Sequence, residues 1–394
     1  MAKAQIWMPL SEGLEPVRVA FHAPLKPPDS PKPSGDRRVA RLLIRALKAR
    51  GHDVRVASRQ RTRDGAGDPK RQTRVERLGK RLADGLVQRY QAPGAWRPDI
   101  WFTYHLYYKA PDWIGPIVAE ALEIPYVVAE ASHALKRASG PWSRNHQQVE
   151  AALRRADLVI GLNSHDRARV EPALGSHGRY VQLRPFLEPR AIADRSASRA
   201  TLAARHDLPN DATWLLAVGM MREDAKLESY RVLASALSKV ETKSEWRLIV
   251  IGDGPARQAA EAALGPTTVF VGALTRDQLA LYYAAADLFV WPSIREAYGM
   301  ALLEAQSAGL AAVAGNTGGV PDILRDGTTG LLCPEGDPAA FARAVEHLID
   351  TPDTRLAMGV NARIVTAQDH GFHGAADTID GWLNEILRAP GSLK

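Results

Sequence analysis

Short apolar runs alternate with helix-length amphipathic stretches along the whole chain. In the first half, the runs predict strands at residues 17–21, 52–58, 99–105, 124–130 and 156–163. In the second half, they predict strands at residues 213–219, 246–252, 268–272, 287–292 and 311–315. Strands that alternate with helices pair in parallel through crossover helices. The pattern therefore predicts an α/β fold with a parallel sheet in each half of the chain.

The first helix is predicted at residues 37–50, between the first two strands. Its apolar side chains recur at helical spacing, at Val39, Leu42, Leu43, Ala46 and Leu47. Gly51 follows directly, where a C-terminal cap belongs.

A second, strongly basic helix follows a polar loop at residues 63–69. Its apolar stripe consists of Val75, Leu78, Leu82 and Leu86. Such a helix either lies on a membrane surface or packs on the sheet as an ordinary core helix, and the second reading is favoured.

The chain is long enough for two domains, since its 394 residues exceed an ordinary single domain. An irregular stretch at residues 185–198, with Pro189, suits a hinge. We therefore expect domains at residues 1–190 and 191–374. We expect their sheets to face each other across a cleft, where strand carboxyl ends and helix N-termini suit a phosphate-bearing ligand.

Composition and charge exclude some classes of protein and leave others open. With 45% hydrophobic and 24% charged residues, the chain is globular and not disordered throughout. The start of the chain lacks a signal-peptide core, and we find no membrane-spanning run, so we expect a cytoplasmic protein with at most peripheral membrane contact. The single cysteine, Cys333, cannot form an internal disulfide and is best explained as a small buried residue.

The net charge of +7 is concentrated early in the chain. Residues 37–89 hold seventeen Lys/Arg and five Asp/Glu. Such a surface attracts phosphates, anionic lipid or nucleic acid, although a solvated basic face explains it equally well.

The segment at residues 291–324 carries the strongest chemical pattern. A strand ends before it, a loop holds Glu296 and Gly299, and a helix predicted at residues 300–308 carries Glu304 in its early part. A helix N-terminus offers N–H groups to phosphate or sugar oxygens, glycine permits close approach, and carboxylates accept from diol hydroxyls. On spacing alone, a helix-dipole glutamate and an exposed loop glutamate explain the pattern equally well.

The surroundings of this segment add specificity. Two glutamates eight residues apart, with Gly299 between them and EAQSAGLAAVA following, resemble the retaining family 4 glycosyltransferases of the GT-B fold. Further matches are VGMMREDAKLES at residues 218–229, IGDGP at 251–255, VFVGAL at 269–274 and GNTGGVPDILRDGTTGLL at 315–332. The resemblance covers nearly all of the second half and, more weakly, the first half. It implies two Rossmann-like domains and a last helix, within residues 375–394, that returns to the first domain.

The resemblance also implies an activity, the transfer of a sugar from a UDP- or GDP-sugar to an acceptor hydroxyl with retention. Glu304 would bind ribose hydroxyls, and Glu296 would bind hydroxyls of the donor sugar. Lys226, aided by Arg222, would neutralise the diphosphate. The other residues expected around the donor are Gly35, Gly219, Gly252, Gly254, Val271, Gly272, Ala273, Leu274, Ala297, Tyr298, Gly299, Met300 and Ala301.

The implied mechanism needs neither a protein nucleophile nor a cofactor. In the family, the departing phosphate is thought to help deprotonate the acceptor. The chain contains no Asp-x-Asp pair, and a lysine with a helix dipole can replace a metal, so no metal is expected.

Acceptor contacts are expected on the first domain, at two strand ends within residues 103–113 and 127–142. The acceptor itself, whether a glycan, a lipid-linked sugar or a small molecule, stays open. The resemblance places a histidine near the donor sugar, and His133 is the nearest match. A satisfied structural role explains each histidine equally well. The residues in question are Tyr104, His105, Tyr107, Lys109, Glu130 and His133.

The sequence departs from the family pattern at three places. Met220 occupies the usual arginine position, and Arg222 comes two residues later. Asp322 stands where glutamate is more common. Residues 184–188 replace the usual Pro-Asn-Gly-Val-Asp element at the domain junction.

Two other functions remain open from the sequence. A nucleotide-sugar epimerase or hydrolase on the same fold would share the nucleotide pocket. A nucleic-acid-binding protein would use the basic face, but the chain shows no recognised nucleic-acid module and no basic–aromatic interleaving.

Overall fold

The computed structural model describes residues 16–31, 34–189, 191 and 193–388. The expectation for the start of the chain falls on residues 1–15, outside the described residues, as do Arg190 and Ile192 of the predicted hinge. The chain divides into two compact units. Unit 1 comprises Met1–Leu162, Asp166–Leu183 and His373–Lys394, and unit 2 comprises Asn163–His165 and Arg184–Phe372. The chain passes from unit 1 to unit 2 after Leu183 and returns to unit 1 after Phe372. The sequence placed these two boundaries after residues 190 and 374.

Unit 1 is built on a six-stranded parallel sheet. Its strands are β1 (Arg18–His22), β2 (Asp53–Ser58), β3 (Ile100–Leu106), β4 (Tyr126–Ala131), β5 (Leu158–Gly161) and β6 (Arg179–Gln182). Its helices are α1 (Gly35–Ala49), α2 (Pro69–Gln91), α3 (Gly115–Leu122), α4 (Ser143–Arg155), α5 (Arg167–Val170) and the last helix, α13 (Phe372–Arg388). The strand order is β2-β1-β3-β4-β5-β6.

Unit 2 repeats this architecture. Its strands are β7 (Thr213–Val218), β8 (Trp246–Ile251), β9 (Val269–Gly272), β10 (Leu288–Trp291), β11 (Ala311–Asn316) and β12 (Gly330–Pro334). Its helices are α6 (Arg195–His206), α7 (Ala225–Leu237), α8 (Arg257–Leu264), α9 (Arg276–Ala285), α10 (Met300–Ser307), α11 (Pro338–Asp350) and α12 (Pro352–Asp369). The strand order is β12-β11-β10-β7-β8-β9. The prediction of an α/β fold with two parallel sheets is confirmed.

The central strands are buried from end to end. Every residue of β4, β5 and β10 is buried, because helices cover both faces of a parallel sheet. These runs therefore read as continuous apolar segments, which is why the sequence located them.

Helix α1 forms as its periodicity predicts. All five apolar positions of its stripe are buried, and Ser34 caps its start by accepting a hydrogen bond from the Arg37 N–H. Gly51 follows with a φ of 83° and donates to the Lys48 carbonyl at 3.0 Å, as a C-terminal glycine cap does.

Helix α2 packs through a face that is shifted from the predicted stripe, which keeps Leu86 and the half-buried Val75 and Leu82 but not Leu78. Leu78 of the expected stripe is 41% exposed, whereas Gly79 and Ala83 are buried with Leu86. A Cβ on Gly79 would lie 2.5 Å from Trp113 Cβ, so the missing side chain is what allows this face to pack closely. The predicted stripe was therefore wrong at Leu78.

Helix α13 contacts unit 1 through several ion pairs. Asp377 pairs with Arg50 at 2.7 Å, and Glu385 pairs with Arg179 at 2.6 Å. His52 Nε2 lies 3.0 Å from Asp380. Across the described parts of the chain, no helix combines the length and hydropathy needed to cross a bilayer.

Candidate functional site

Both sheets contain a point where the strand order reverses. It lies between β1 and β3 in unit 1 and between β10 and β7 in unit 2. Loops that leave neighbouring parallel strands at such a point diverge and form a crevice, where α/β sheets bind their ligands. Several of the predicted residues lie in or next to the loops that follow these four strands, and others lie at the ends of β4, β8 and β9.

In unit 2, the loops after β7 and β10 meet through an ion pair. The Lys226 ammonium donates a hydrogen bond to Glu296 Oε2, and the two side chains are only 17% and 16% exposed. The Trp291 Nε1–H donates to the same oxygen at 3.4 Å, and Lys226 Nζ lies 5.3 Å from the centroid of the Trp291 ring. The structure thus brings together two residues that the sequence predicted on separate motifs, and adds a tryptophan that it did not assign.

Lys226 stands in the first turn of α7. Asp224 caps this helix by accepting a hydrogen bond from the Lys226 backbone N–H at 3.0 Å. Arg222 Nε lies 3.2 Å from Asp224 Oδ2, and both side chains are half exposed. The neighbouring Met221 is buried, while Met220 is 37% exposed. Arg222 is therefore an exposed cation two residues from the helix cap, and its role at a phosphate stays a prediction.

The glycines after β8 hold two loops together. A Cβ on Gly252 would lie 1.8 Å from the Gly219 carbonyl oxygen, and a Cβ on Gly254 would lie 2.3 Å from that of Met221. Their φ values of 145° and 151° also disfavour any other residue. The loops after β7 and β8 therefore pack backbone against backbone. These two glycines have a structural role in addition to the predicted contact with a ligand.

The end of β9 joins the same framework. Gly272, with a φ of 86°, accepts a hydrogen bond from the Gly252 N–H at 3.0 Å. Ala273 is exposed, and Val271 and Leu274 are half-buried. This segment, which the resemblance assigns to the base, is thus the accessible end of an edge strand.

The loop that carries Glu296 has a strained backbone. Ser293 and Arg295 have φ values of 58° and 48°, a left-handed conformation that costs such residues about 1–3 kcal/mol each. Gly299, with a φ of 75°, stands at the start of α10, and no side chain among the described residues caps that helix. The first N–H groups of α10 thus face the end of this loop.

A second glycine pair fixes this loop from the β11 side. A Cβ on Gly318 would lie 2.0 Å from the Glu296 carbonyl oxygen, and a Cβ on Gly319 would lie 2.4 Å from that of Ala297. The Gly319 N–H donates to the Ala297 carbonyl at 3.1 Å. The backbone of these two glycines therefore packs directly against the carbonyl groups of Glu296 and Ala297 and fixes the position of the loop.

Glu304 lies on α10 and is 9% exposed. The Tyr283 hydroxyl lies 3.3 Å from Glu304 Oε2 and 3.2 Å from the Ala301 carbonyl. Tyr283, on α9, therefore orients one carboxylate oxygen of Glu304. The sequence reasoning missed it, because no spacing connects α9 to α10. The half-buried Tyr298, Met300 and Ala301 complete this region.

In unit 1, three titratable residues meet, one each from the start of α1, the end of β3 and the end of β4. His105 Nδ1 lies 3.1 Å from Asp36 Oδ1 and 3.7 Å from Glu130 Oε2. His105 and Glu130 have φ values of 64° and 57°, and such strain in non-glycine residues concentrates at functional sites. The Tyr107 ring centroid is 4.9 Å from that of His105.

Electrostatic interactions within this cluster favour protonated His105 and ionised Asp36. Burial alone would lower the pKa of His105, but Glu130 and Asp36 outweigh it and raise the pKa to about 9. Burial alone would raise the pKa of Asp36, but hydrogen bonding to His105 lowers it. At neutral pH the cluster therefore holds an imidazolium between carboxylates.

The other predicted residues of unit 1 lie in varied settings. Gly35 begins α1, with open space where a Cβ would stand. Tyr104 is 1% exposed, and burial raises its pKa well above the usual value, so it supports the cluster from behind and is not placed to contact an acceptor. Lys109 Nζ lies 5.7 Å from the centroid of the Trp142 ring. His133 is 7% exposed, with Nε2 3.2 Å from Glu150 Oε1.

Two family models match the chain along both sheets. Residues 212–351 match the model described as Glycosyl transferases group 1, and residues 34–185 match the one described as Glycosyl transferase 4-like domain. Together they span about three quarters of the chain. These two matches identify the chain as a glycosyltransferase, and its two Rossmann-like sheets are the architecture of the GT-B type. The chain belongs to the group 1 glycosyltransferases.

Curated relatives share this family. The chain is 29% identical over 309 residues to the D-inositol 3-phosphate glycosyltransferase of Streptomyces scabiei (strain 87.22), covering 73% of this chain and 68% of that protein. It is 29% identical over 287 residues to the alpha-D-kanosaminyltransferase of Streptomyces kanamyceticus, covering 69% of this chain and 71% of that protein.

Solved structures show the same fold. Sucrose-phosphate synthase from Thermosynechococcus elongatus superposes with a TM-score of 0.71 at 20% identity, covering 94% of this chain and 99% of that one. The Anabaena protein HepE, solved in complex with UDP, superposes with a TM-score of 0.69 at 16% identity, covering 94% of this chain and 100% of that one. At these identities the likeness establishes the fold alone, and it confirms the expected GT-B class.

Proposed function

We propose that this enzyme transfers a hexose from a UDP- or GDP-sugar to an acceptor hydroxyl, with retention of the anomeric configuration. The observation that carries the proposal is the Lys226–Glu296 ion pair at the reversal point of unit 2. It couples a cation suited to a diphosphate with a carboxylate suited to sugar hydroxyls.

The leaving diphosphate gains negative charge in the transition state. Lys226 stabilises that charge as a fixed cation, and the N-termini of α7 and α10 add their dipoles. Glu296 keeps Oε1 for the donor sugar, while Lys226 and Trp291 hold Oε2. The fixed cation and the helix dipoles supply the positive charge, so the proposed transfer depends on no added Mg²⁺ or Mn²⁺.

Glu304 binds the ribose hydroxyls of the nucleotide in this proposal. The Tyr283 hydroxyl, 3.3 Å from Glu304 Oε2, orients this carboxylate, and carboxylate oxygens accept hydrogen bonds from sugar hydroxyls. Names of related proteins support a nucleoside diphosphate. A Mycobacterium tuberculosis relative that is 28% identical over 297 residues, with 70% of this chain and 75% of that protein covered, is named a GDP-mannose-dependent mannosyltransferase. HepE structures contain UDP or UDP-glucose.

The acceptor binds unit 1 in this proposal. Asp36 and Glu130 accept hydrogen bonds from acceptor hydroxyls, and charged His105 donates one. Relatives are named for inositol 3-phosphate and 2-deoxystreptamine, which supports a polyhydroxylated acceptor. Contacts from Tyr107 and Lys109, a donor-sugar contact from His133 and peripheral membrane contact through the basic face of unit 1 stay predictions.

Product analysis with labelled donors tests this function. The enzyme is incubated with sugar-labelled UDP-glucose or GDP-mannose, with and without polyhydroxylated acceptors, and the products are separated by chromatography. We expect label in the acceptor only when acceptor is present, with an anomeric coupling constant that shows retention. An isomerised donor formed without acceptor identifies an epimerase instead, and free sugar as the sole product identifies a hydrolase.

A further inference from the structure

Two buried histidines and a glutamate meet in unit 1, between the end of β4 and helix α4. His133 follows β4, and His146 and Glu150 lie one turn apart on α4. His133 Nε2 is 3.2 Å from Glu150 Oε1, and His146 Nε2 is 3.6 Å from the same oxygen. The two imidazole rings stack, with centroids 5.0 Å apart and 23° between their planes.

His146 is the unusual member of this cluster. Its side chain is 1% exposed, and neither ring nitrogen makes a hydrogen bond within the described residues. Buried polar groups without a hydrogen bond are rare, because each one loses its hydration without compensation.

The distances suit one cation at the centre of the three side chains. A tetrahedral zinc site with bonds of about 2.0–2.1 Å has ligand atoms about 3.3–3.4 Å apart. The two separations from Glu150 Oε1, 3.2 and 3.6 Å, lie on either side of that value. One ligand atom from each residue lies within 4.8 Å of the others. Two imidazoles and one carboxylate are a donor set that zinc-class cations prefer.

A cavity of 740 Å³ adjoins the cluster and is lined by both His133 and Glu150. Lys136, Arg154 and Arg169 also line it. Arg154 Nη2 lies 3.5 Å from Glu150 Oε2, whereas both histidine contacts involve the other carboxylate oxygen, Oε1. The cavity thus offers a route to the cluster and room for a fourth ligand, either water or a small anion.

We propose that His133, His146 and Glu150 bind a divalent cation of the zinc class, with the fourth position open to the adjoining cavity. The cation fixes the loop at residues 132–142 to α4 through His133. The proposal stands apart from the transfer chemistry, since none of its observations involves unit 2.

Cobalt substitution tests the site in the full-length, untagged chain. Metal-free protein is titrated with Co²⁺, and the visible spectrum is recorded, since tetrahedral Co²⁺ absorbs strongly and hydrated Co²⁺ weakly. We expect one Co²⁺ per chain, with an intense visible band that Zn²⁺ displaces. His146→Gln and Glu150→Gln should each weaken binding by at least about 100-fold, as loss of a ligand exceeds the loss caused by an outer-shell change.

His177→Gln is the matched control, because this histidine also lies in unit 1 and is 52% exposed. It should bind Co²⁺ like the wild type. X-ray absorption of the wild-type zinc complex identifies imidazole ligands without any substitution, so the test does not depend on the folding of a variant. Absence of stoichiometric binding by the wild type, a spectrum without two imidazoles, or full binding by both ligand variants overturns the proposal.

Discussion

Lys226, in the first turn of α7, and Glu296, in the loop after β10, form an ion pair although they are seventy residues apart in the chain. Both side chains are mostly buried, so their attraction is less screened than that of a surface pair. The pair holds a cation at a fixed position before any anion arrives, and preorganised charge of this kind stabilises a charged transition state most effectively.

Lys226→Ala should lower kcat by about 10²–10³-fold, the usual effect of removing one preorganised donor from a developing negative charge. The donor sugar should still bind, since Glu296 and Glu304 remain. Steady-state kinetics with a saturating acceptor measures the change.

Lys239→Ala is the control for this experiment. Lys239 is exposed and lies just beyond the opposite end of α7. It should leave kcat within about twofold, as surface changes usually do. An equal loss in both variants, or a normal rate in Lys226→Ala, would remove the lysine from the mechanism.

His105 should make stability depend on pH. Its pKa in the folded chain is about 9, because Glu130 and Asp36 outweigh the effect of burial, whereas an unfolded histidine titrates near 6.5. A raised pKa stabilises the fold fully below pH ~6.5, and that stabilisation is lost as the pH rises through 9. It amounts to at most about 3.4 kcal/mol, from a shift of about 2.5 pKa units.

The melting temperatures of wild type and His105→Asn measure this effect, since asparagine tolerates the positive φ at this position. The wild type should exceed the variant most below pH ~6.5, and the gap should close above pH ~9. A gap that stays constant across this range means that His105 does not carry the extra proton.

The sequence located the charged residues of the proposed donor site but not the residues that support them. Lys226, Glu296 and Glu304 stand in motifs with fixed spacing, so their type and order are readable. Trp291 and Tyr283 act by contacts across loops and helices, which spacing does not record.

At the element scale, glycines let loops of unit 2 pack on one another. A Cβ on Gly318 would lie 2.0 Å from the Glu296 carbonyl oxygen. This oxygen belongs to the backbone, so it could move away only if the whole loop moved. The position of the Glu296 loop therefore depends on the absence of a side chain at Gly318.

Gly318→Ala should lower kcat/KM by about 100-fold, because displacement of a catalytic loop by about 1 Å has effects of that size. Gly327→Ala is the matched control. Both glycines have positive φ, 52° and 67°, but a Cβ on Gly327 meets nothing within 4 Å. Both variants share the backbone strain, and only Gly318→Ala moves the loop. Equal kinetics in the two variants would contradict this role for Gly318.

The strands that the sequence missed are β6 and β12, two of the four edge strands. Both lie at the end of a sheet and are only partly buried. RYVQ has only two apolar residues between an arginine and a glutamine, and GLLCP is a short apolar run between a glycine and a proline, so neither stood out as the inner strands did.

At the scale of the whole molecule, the chain forms two six-stranded parallel sheets, and helices connect the strands in both. The last helix belongs mostly to unit 1. The alternation of strands and helices made this architecture predictable. The packing face of α2 was not, because it depends on the contact between Gly79 and Trp113.

The net charge of +7 leaves nucleic-acid binding as an alternative function. Binding driven by phosphate contacts weakens steeply with salt. We expect only weak binding of a duplex and of a single strand at physiological salt, with nucleotide-sugar turnover unaffected. Tight binding in a fluorescence-anisotropy titration, with competitive loss of turnover, would favour the alternative.

The most direct test of the proposed donor site is the binding of UDP and GDP measured by isothermal titration calorimetry. One of the two nucleotides should bind wild type and Glu245→Ala equally, since Glu245 is exposed at the opposite end of the sheet, just before β8. Glu304→Ala should bind it at least about tenfold more weakly, through loss of hydrogen bonds to a charged group. Equal affinity of folded Glu304→Ala and wild type, or no binding of either nucleotide by the wild type, would contradict the assignment of unit 2 as the donor site.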